Sequence, residues 1–169
     1  MIPKTKYLIS LFIFSIFVAC SQKQIQVQQT IDALPSIFPD YIGVTIPQNI
    51  APLHFRLTDS CVYEDAYAIF ETDGERIEVK AKKEQFAISS SMWQKLMKGA
   101  AGKSINITVL VKADNKWIGY SPFSMHVAKE PIDPYIAYRL IEPGYEVWNE
   151  MGIYQRCLED YKETAIITN

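Results

Sequence analysis

The chain has 169 residues, of which 49% are hydrophobic, and its 17 Lys and Arg against 19 Asp and Glu give a net charge of −2 at pH 7. This length suits one domain, or one domain with part of another. The mildly acidic balance argues against nucleic-acid binding, because phosphate contacts need clustered Lys and Arg. The one basic cluster, Lys80, Lys82 and Lys83, is followed by Glu84, as is typical of a solvated strand face.

The N-terminal residues have the pattern of a secretory signal. A short basic start precedes the apolar run from Tyr7 to Ala19, which is shorter than the ~20 residues of a membrane-spanning helix. The run ends in Phe17-Val18-Ala19-Cys20, which resembles the bacterial lipobox, in which the cysteine is acylated and becomes the mature N-terminus. We therefore predict a signal peptide at residues 1–19 and lipid attachment at Cys20. An ordinary cleaved signal or an uncleaved anchor is the alternative interpretation.

Residues 20–49 have the composition of a tether. Ser21 follows the cysteine at a position where inner-membrane lipoproteins often carry Asp, so the resemblance indicates the outer membrane. The segment from Ser21 to Thr30 is rich in Gln and lacks an acidic cluster like those of surface-exported lipoproteins, which favours an orientation toward the periplasm. Four prolines between Ile31 and Pro52 predict extended, irregular backbone.

Apolar and polar residues alternate from about residue 50 to residue 130, and the clearest case runs from Ser104 to Lys112. Such alternation predicts strands with one buried face and one solvated face. Asp73-Gly74 and Asp114-Asn115 have the residue types of two-residue hairpin turns. Short antiparallel strands at this spacing predict an immunoglobulin-like β-sandwich over residues 50–130.

One segment of this region has a helical pattern instead. Ser91 can cap a short helix on which Trp93, Leu96 and Met97 share one face, and Gly99 can end it. We expect this helix to be a crossover between strands of the sandwich.

A second β region begins after two closely spaced prolines. Tyr135 to Ile141 and Met151 to Leu158 have strand-like patterns, and Pro143-Gly144 between them suits a type II turn. The last residues, Ala165 to Asn169, are mainly apolar and β-branched, whereas a natural C-terminus is more often polar and frayed. We therefore expect residues 131–169 to be the start of a second β domain.

The stretch from Glu130 to Tyr161, with Asn49 to Leu53 upstream, resembles a group of Bacteroidetes lipoproteins, and Tyr138 to Tyr145 (YRLIEPGY) is the most specific part. Those proteins carry an N-terminal sandwich-like domain followed by a TolB-like β-propeller with PD40 repeats, and they are often labelled as related to cytochrome c biogenesis. The resemblance implies a mainly β chain, in which an immunoglobulin-like sandwich is followed by a few strands of an incomplete propeller-like region.

In that group the chain continues into a Cys-x-x-Cys-His motif like those that attach haem, and then into the remaining propeller blades. This sequence contains no Cys-x-x-Cys-His, so a haem or redox role implied by the family is not carried by these residues. We expect a truncated relative of that group, or a chain whose fold a partner completes, and we expect no cofactor.

Patterns of catalytic or metal-binding residues do not emerge from the sequence. His54 and His126 are the only histidines, and neither has the nearby cysteines or paired carboxylates of a zinc site. The sequence contains no Gly-x-Ser-x-Gly elbow, no Walker loop and no Gly-x-Gly-x-x-Gly. Carboxylates are plentiful, but sequence alone does not place two of them across a cleft, as a glycosidase requires. We expect no metal site and no enzymatic activity; an enzyme with an unrecognised site is the third interpretation.

Two cysteines remain once Cys20 carries lipid, namely Cys61 and Cys157. An oxidising periplasm permits a disulfide between them, which would stabilise the fold by roughly 4–5 kcal/mol if it were unstrained. Their spacing matches neither a metal site nor a redox motif, so two free buried thiols remain the alternative.

Aromatic residues are abundant, and Trp117 lies near Tyr120 in the sequence, as Tyr145 lies near Trp148. Exposed rings of this kind stack on sugars, whereas core packing explains most aromatic residues in small β domains. Our leading interpretation is a membrane-anchored, non-enzymatic periplasmic module that binds another envelope protein. The alternative is a carbohydrate-binding lipoprotein that uses these four rings as ligand platforms.

Overall fold

The computed structural model describes residues 25–58, 62–140 and 151–168, and over these ranges the chain is mainly β. Its strands form three sheets. In chain order the strands are β1 (Gln29–Ile31), β2 (Ile37–Phe38), β3 (Thr45–Ile46), β4 (Phe55–Leu57), β5 (Asp65–Thr72), β6 (Glu75–Lys80), β7 (Gln85–Phe86), β8 (Ser104–Ala113), β9 (Lys116–Tyr120), β10 (Phe123–Val127), β11 (Tyr135–Leu140), β12 (Gly152–Cys157) and β13 (Glu163–Thr168). A helix, α1 (Ser90–Met97), lies between β7 and β8.

The first two sheets pack face to face as a β-sandwich. In the larger sheet β5 lies between β6 and β8, while β9 and β10 pair with successive halves of the other edge of β8. Pro122 separates β9 from β10, as expected for a residue that has no amide donor for the ladder. The smaller sheet has the order β2-β4-β7. These two facing sheets confirm the mainly β, sandwich-like prediction, whereas the immunoglobulin-like assignment stays a prediction.

The period of two in the sequence corresponds to burial in β8. Ile105, Ile107 and Val109 are fully buried and Val111 is 5% exposed, because their side chains all point to the face that the smaller sheet covers. The predicted hairpin turn after β8 is also present. Asp114 and Asn115 both have positive φ, 48° and 62°, which a tight two-residue turn of this hand requires.

Phe55 on β4 lies at the centre of the sandwich core, where it is 3% exposed. Its ring centroid is 4.9 Å from that of Phe86, which belongs to the same sheet. It is 6.2 Å from the centroid of Phe70 and 6.5 Å from that of Phe123, both on the opposing sheet. One side chain therefore contacts aromatic residues of both layers.

The short helix occurs where the sequence predicts it, although its cap differs. Trp93, Leu96 and Met97 form its buried face, as predicted. The N-cap is Ser89 and not Ser91, because Ser89 has extended backbone and its hydroxyl accepts a hydrogen bond from the Met92 amide at 3.3 Å. Within residues 25–58, 62–140 and 151–168, no helix has the length and apolar character that crossing a membrane requires.

The sandwich also includes residues that the sequence analysis places in the tether of residues 20–49. There β1 and β3 pair in parallel with β9 and β10, and β2 pairs with β4 of the smaller sheet. These strands contain only two or three residues each. Strands of two or three residues are too short to show an alternation of polar and apolar residues. The prolines between them are therefore the only local signal that the sequence offers in this segment.

The third sheet is an antiparallel meander of β11, β12 and β13 with β12 in the middle. Its register shifts between Ile153 and Tyr154, which leaves Ile166 as an extra residue on β13. These strands match the strand-like patterns of the second β region, whereas the Pro143-Gly144 turn lies outside the described residues. Whether the sheet is a propeller blade stays a prediction.

Candidate functional site

Four of the residues that the sequence singles out, Cys20, Cys61, Tyr145 and Trp148, lie outside the described residues. Cys157 is half-buried at the end of β12. Pairing of Cys157 with Cys61 therefore stays a prediction, as does lipid attachment at Cys20.

Trp117 and Tyr120 lie on opposite faces of β9. Tyr120 packs against the sandwich core, whereas Trp117 lies on the outer face of the larger sheet with the half-buried Tyr67 of β5. Their ring centroids are 5.6 Å apart in an edge-to-face arrangement. Lys80 lies 5.7 Å from the Tyr67 centroid and forms a 2.6 Å ion pair with Asp65. The structure therefore pairs Trp117 with Tyr67, a residue that the sequence analysis does not consider.

One face of the third sheet carries a cluster of aromatic and charged side chains. Tyr138 is directly opposite Tyr154, and Arg156 is directly opposite Glu163, so the four side chains share this face. The two tyrosine rings are stacked with centroids 6.2 Å apart. Arg156 lies 5.8 Å from the Tyr138 centroid and forms a 2.6 Å ion pair with Glu163, to which the Tyr138 hydroxyl also donates. Tyrosine and arginine are the residue types that most often dominate protein–protein binding energy.

Apolar side chains surround this cluster and continue onto the other face of the sheet. The third sheet exposes six large apolar side chains, each between 39% and 58% accessible: Tyr135, Ile136, Leu140, Ile153, Ile166 and Ile167. Isolated exposed apolar residues are normal on protein surfaces, whereas these six belong to one small sheet and lie on both of its faces.

Asn49 connects the third sheet to the sandwich. Its Nδ2 donates to the Ile132 carbonyl at 3.0 Å and to the Glu159 carboxylate at 2.9 Å, and its Oδ1 accepts from the Ile132 amide at 3.0 Å. The Ala51 amide donates to the Leu158 carbonyl at 2.8 Å beside it. The sandwich therefore holds one end of the third sheet by several hydrogen bonds.

Tyrosine side chains and a small cavity complete this junction. Burial raises the pKa of Tyr161, and the charge of the Tyr41 phenol raises it further. A half-enclosed cavity of about 220 Å³ lies beside Asn49, with Trp93 and Glu159 among its lining residues. The buried indole N–H of Trp93 donates to the Ile50 carbonyl at 2.8 Å, so this ring holds the loop that forms one wall.

Within the described ranges, no three His, Cys, Asp or Glu side chains are placed to hold a metal ion. The sequence indicates the strands of the third sheet but not the cluster on its face, because Tyr138 and Glu163 are far apart in sequence and only the register brings them together. The signal in the sequence that indicates this face is the two-residue spacing of Tyr154 and Arg156 on β12, which places both side chains on one side of the strand.

No family model matches the chain, and no curated protein or solved structure is significantly similar to it.

Proposed function

We propose that the chain is a non-enzymatic, lipid-anchored module of the bacterial envelope that binds another protein through its third sheet. The observation that carries this proposal is the edge strand β13. All six of its residues are exposed, and among the described residues its strand partner is β12 alone. Its outer edge therefore presents unpaired backbone N–H and C=O groups, which template the addition of another strand.

The edge strand β6 of the larger sheet differs from β13 in its charge. Strand β6 carries Arg76, Glu78 and Lys80 on its exposed side, and charged residues of this kind discourage pairing. The edges of the smaller sheet, β2 and β7, contain two residues each. By contrast, β13 has no charge after Glu163.

The partner that fits this edge is an extended, apolar segment of another envelope protein. Such segments add to a sheet by main-chain hydrogen bonds, while their side chains contact the faces on either side. Here those faces offer the Tyr138 and Tyr154 stack on one side and Ile153 and Ile167 on the other. Propeller blades have four strands, so an added strand would also complete a blade of the kind that the resemblance to TolB-like lipoproteins implies.

Lipid at Cys20 would hold this binding surface near the membrane. The Gln28 amide donates a hydrogen bond to the Trp117 carbonyl at 2.9 Å, so the chain joins the sandwich eight residues after Cys20. An extended chain of this length spans at most ~28 Å. The partner is therefore an envelope protein at or near the membrane surface, and the sequence favours the periplasmic side of the outer membrane.

Metabolic labelling with a palmitate analogue tests the anchor. The unaltered chain and Cys157→Ser should both incorporate label, because only the lipobox cysteine is acylated, whereas Cys20→Ser should not. Label on Cys20→Ser would contradict lipid attachment at that residue.

Site-specific photo-crosslinking in intact cells tests the binding surface. A crosslinking residue at Thr164 or Thr168 should give a discrete adduct, while one at Gln85 on β7 should not. Since an added strand runs alongside β13, the two positions should react with one partner segment at sites about four residues apart. Ile167→Lys should abolish both adducts, and Gln85→Lys, which adds the same charge to an edge of the sandwich, should preserve them. No adduct from β13, or adducts scattered over unrelated segments, would refute strand addition.

A further inference from the structure

The outer face of the larger sheet contains a groove that the proposed protein-binding function does not use. It has a volume of about 450 Å³, and its lining residues come from three strands and the Pro122 break: Glu71, Asn106, Thr108, Pro122, Phe123 and Ser124. Glu71 is directly opposite Asn106, which is directly opposite Ser124. Because neighbouring strands lie ~4.8 Å apart, a carboxylate, an amide and a hydroxyl form a row across the sheet.

The polar side chains that line the groove differ in the hydrogen bonds that they already make. The Glu71 carboxylate accepts a hydrogen bond from Arg76 at 2.6 Å, and the same guanidinium also pairs with Glu78 at 2.8 Å. The side chains of Asn106, Thr108 and Ser124 have no hydrogen-bond partner among the described residues. An amide and two hydroxyls can each donate and accept. The row therefore suits a ligand whose own polar groups both donate and accept.

The aromatic pair lies on the same face, farther along the strands. Tyr67 precedes Glu71 by four residues on β5, which corresponds to ~14 Å. Ile69 lies between the polar row and Tyr67, and Leu110 lies directly opposite Tyr67; neighbouring side chains cover both, which are only 6% and 2% exposed. This face thus has a polar end and an aromatic end, which a closely packed apolar stretch separates.

The charged side chains on this face form ion pairs. Arg76 pairs with Glu71 at 2.6 Å and with Glu78 at 2.8 Å, Lys80 pairs with Asp65 at 2.6 Å, and Lys112 pairs with Glu64 at 3.0 Å. A strongly charged ligand would have to break these pairs. A peptide strand has no unpaired backbone to join here, because β5 and β8 are paired on both sides.

We propose that this face binds an uncharged oligosaccharide, whose hydroxyls bond to Asn106, Thr108 and Ser124 while a ring at its other end contacts Trp117 and Tyr67. The ~14 Å between the two ends requires several sugar rings, so single monosaccharides should bind weakly. This site is separate from the edge of β13, and either proposal can fail without the other.

Isothermal titration of the full chain in detergent with four neutral tetrasaccharides, maltotetraose, cellotetraose, chitotetraose and xylotetraose, tests the site. At least one should bind saturably and quench tryptophan fluorescence through Trp117. Asn106→Leu keeps a similar volume and removes the amide, so it should weaken the binding of that sugar about tenfold, since a sugar hydroxyl is left without its hydrogen-bond partner. The matched control Gln85→Leu, an exposed amide on the smaller sheet, should leave the dissociation constant within about twofold.

Ser124→Ala serves as a second variant, because it removes one hydroxyl on an exposed strand position and should leave folding intact while weakening binding. Circular dichroism confirms that each variant retains its strands. The proposal is overturned by the absence of saturable binding to all four sugars, or by binding that Asn106→Leu and Ser124→Ala leave unchanged. Binding only of an extended peptide probe or of anionic lipid vesicles at this face would also overturn it.

Discussion

Asn49 offers a direct way to loosen the third sheet from the sandwich, because its side chain makes three hydrogen bonds across the junction. Asn49→Ala removes the bonds to the amide and carbonyl of Ile132 and to the Glu159 carboxylate. Each such bond contributes about 1 kcal/mol net, so the contact should weaken by about 2–3 kcal/mol. The third sheet should then open locally more often, while the sandwich core retains its stability.

Amide hydrogen exchange measures this opening strand by strand. A change of 2–3 kcal/mol corresponds to exchange that is about 30- to 150-fold faster, and it should be confined to β11 and β12. Gln48→Ala is the matched control, because Gln48 donates one hydrogen bond, to the Lys129 carbonyl at 2.6 Å, and makes none to the third sheet. Its effect on β11 and β12 should stay below about fivefold. Equal exchange in both variants, or acceleration throughout the sandwich, would show that Asn49 does not tie the third sheet.

Two further predictions concern the sandwich. Phe55→Ala removes the ring that contacts both layers and should lower the free energy of unfolding by about 3–5 kcal/mol in urea denaturation, whereas Phe38→Ala, at a ring that is 59% exposed, should change it by less than about 1 kcal/mol. Similar losses in the two variants would contradict the assigned core. The Lys112 ammonium bonded to Glu64 lowers the pKa of that carboxyl. Since the folded-state pKa is depressed, the pair stabilises the fold above the usual pKa of Glu64 and ceases to do so as the pH falls through the folded value. Lys112→Met should therefore move the Glu64 titration upward in carbon-detected NMR, and an unchanged titration would show that the ion pair does not form in solution.

Much of the sandwich could be predicted from the sequence because its long strands are solvated on one face. In β8 the alternation from Ser104 to Lys112 reflects that asymmetry directly, and the Asp114-Asn115 turn has the residue types that positive φ favours. The strands β1, β2 and β3 were not predictable in this way. They are too short to show a period, and the strands they pair with, such as β9, are distant in sequence.

The candidate site followed from the sequence only in part. Trp117 was identified as an aromatic residue on a strand, but its partner Tyr67 lies 50 residues away, and the pairing depends on which strands are neighbours. Tyr120, three positions after Trp117, cannot share its platform for a different and purely local reason. An odd separation along a regular strand places two side chains on opposite faces.

The sequence by itself determined the class of the fold and the position of the helix, because these depend on local patterns of polarity and on turn residues. The lipobox-like ending at Cys20 is likewise a local pattern, and the proposed lipid attachment to the membrane depends on it. Only the tertiary structure decided which side chains meet. The Tyr138 cluster depends on antiparallel register, and the row from Glu71 through Asn106 to Ser124 depends on the order of three strands. Register and strand order are set by contacts between distant segments, and a single strand's sequence contains neither.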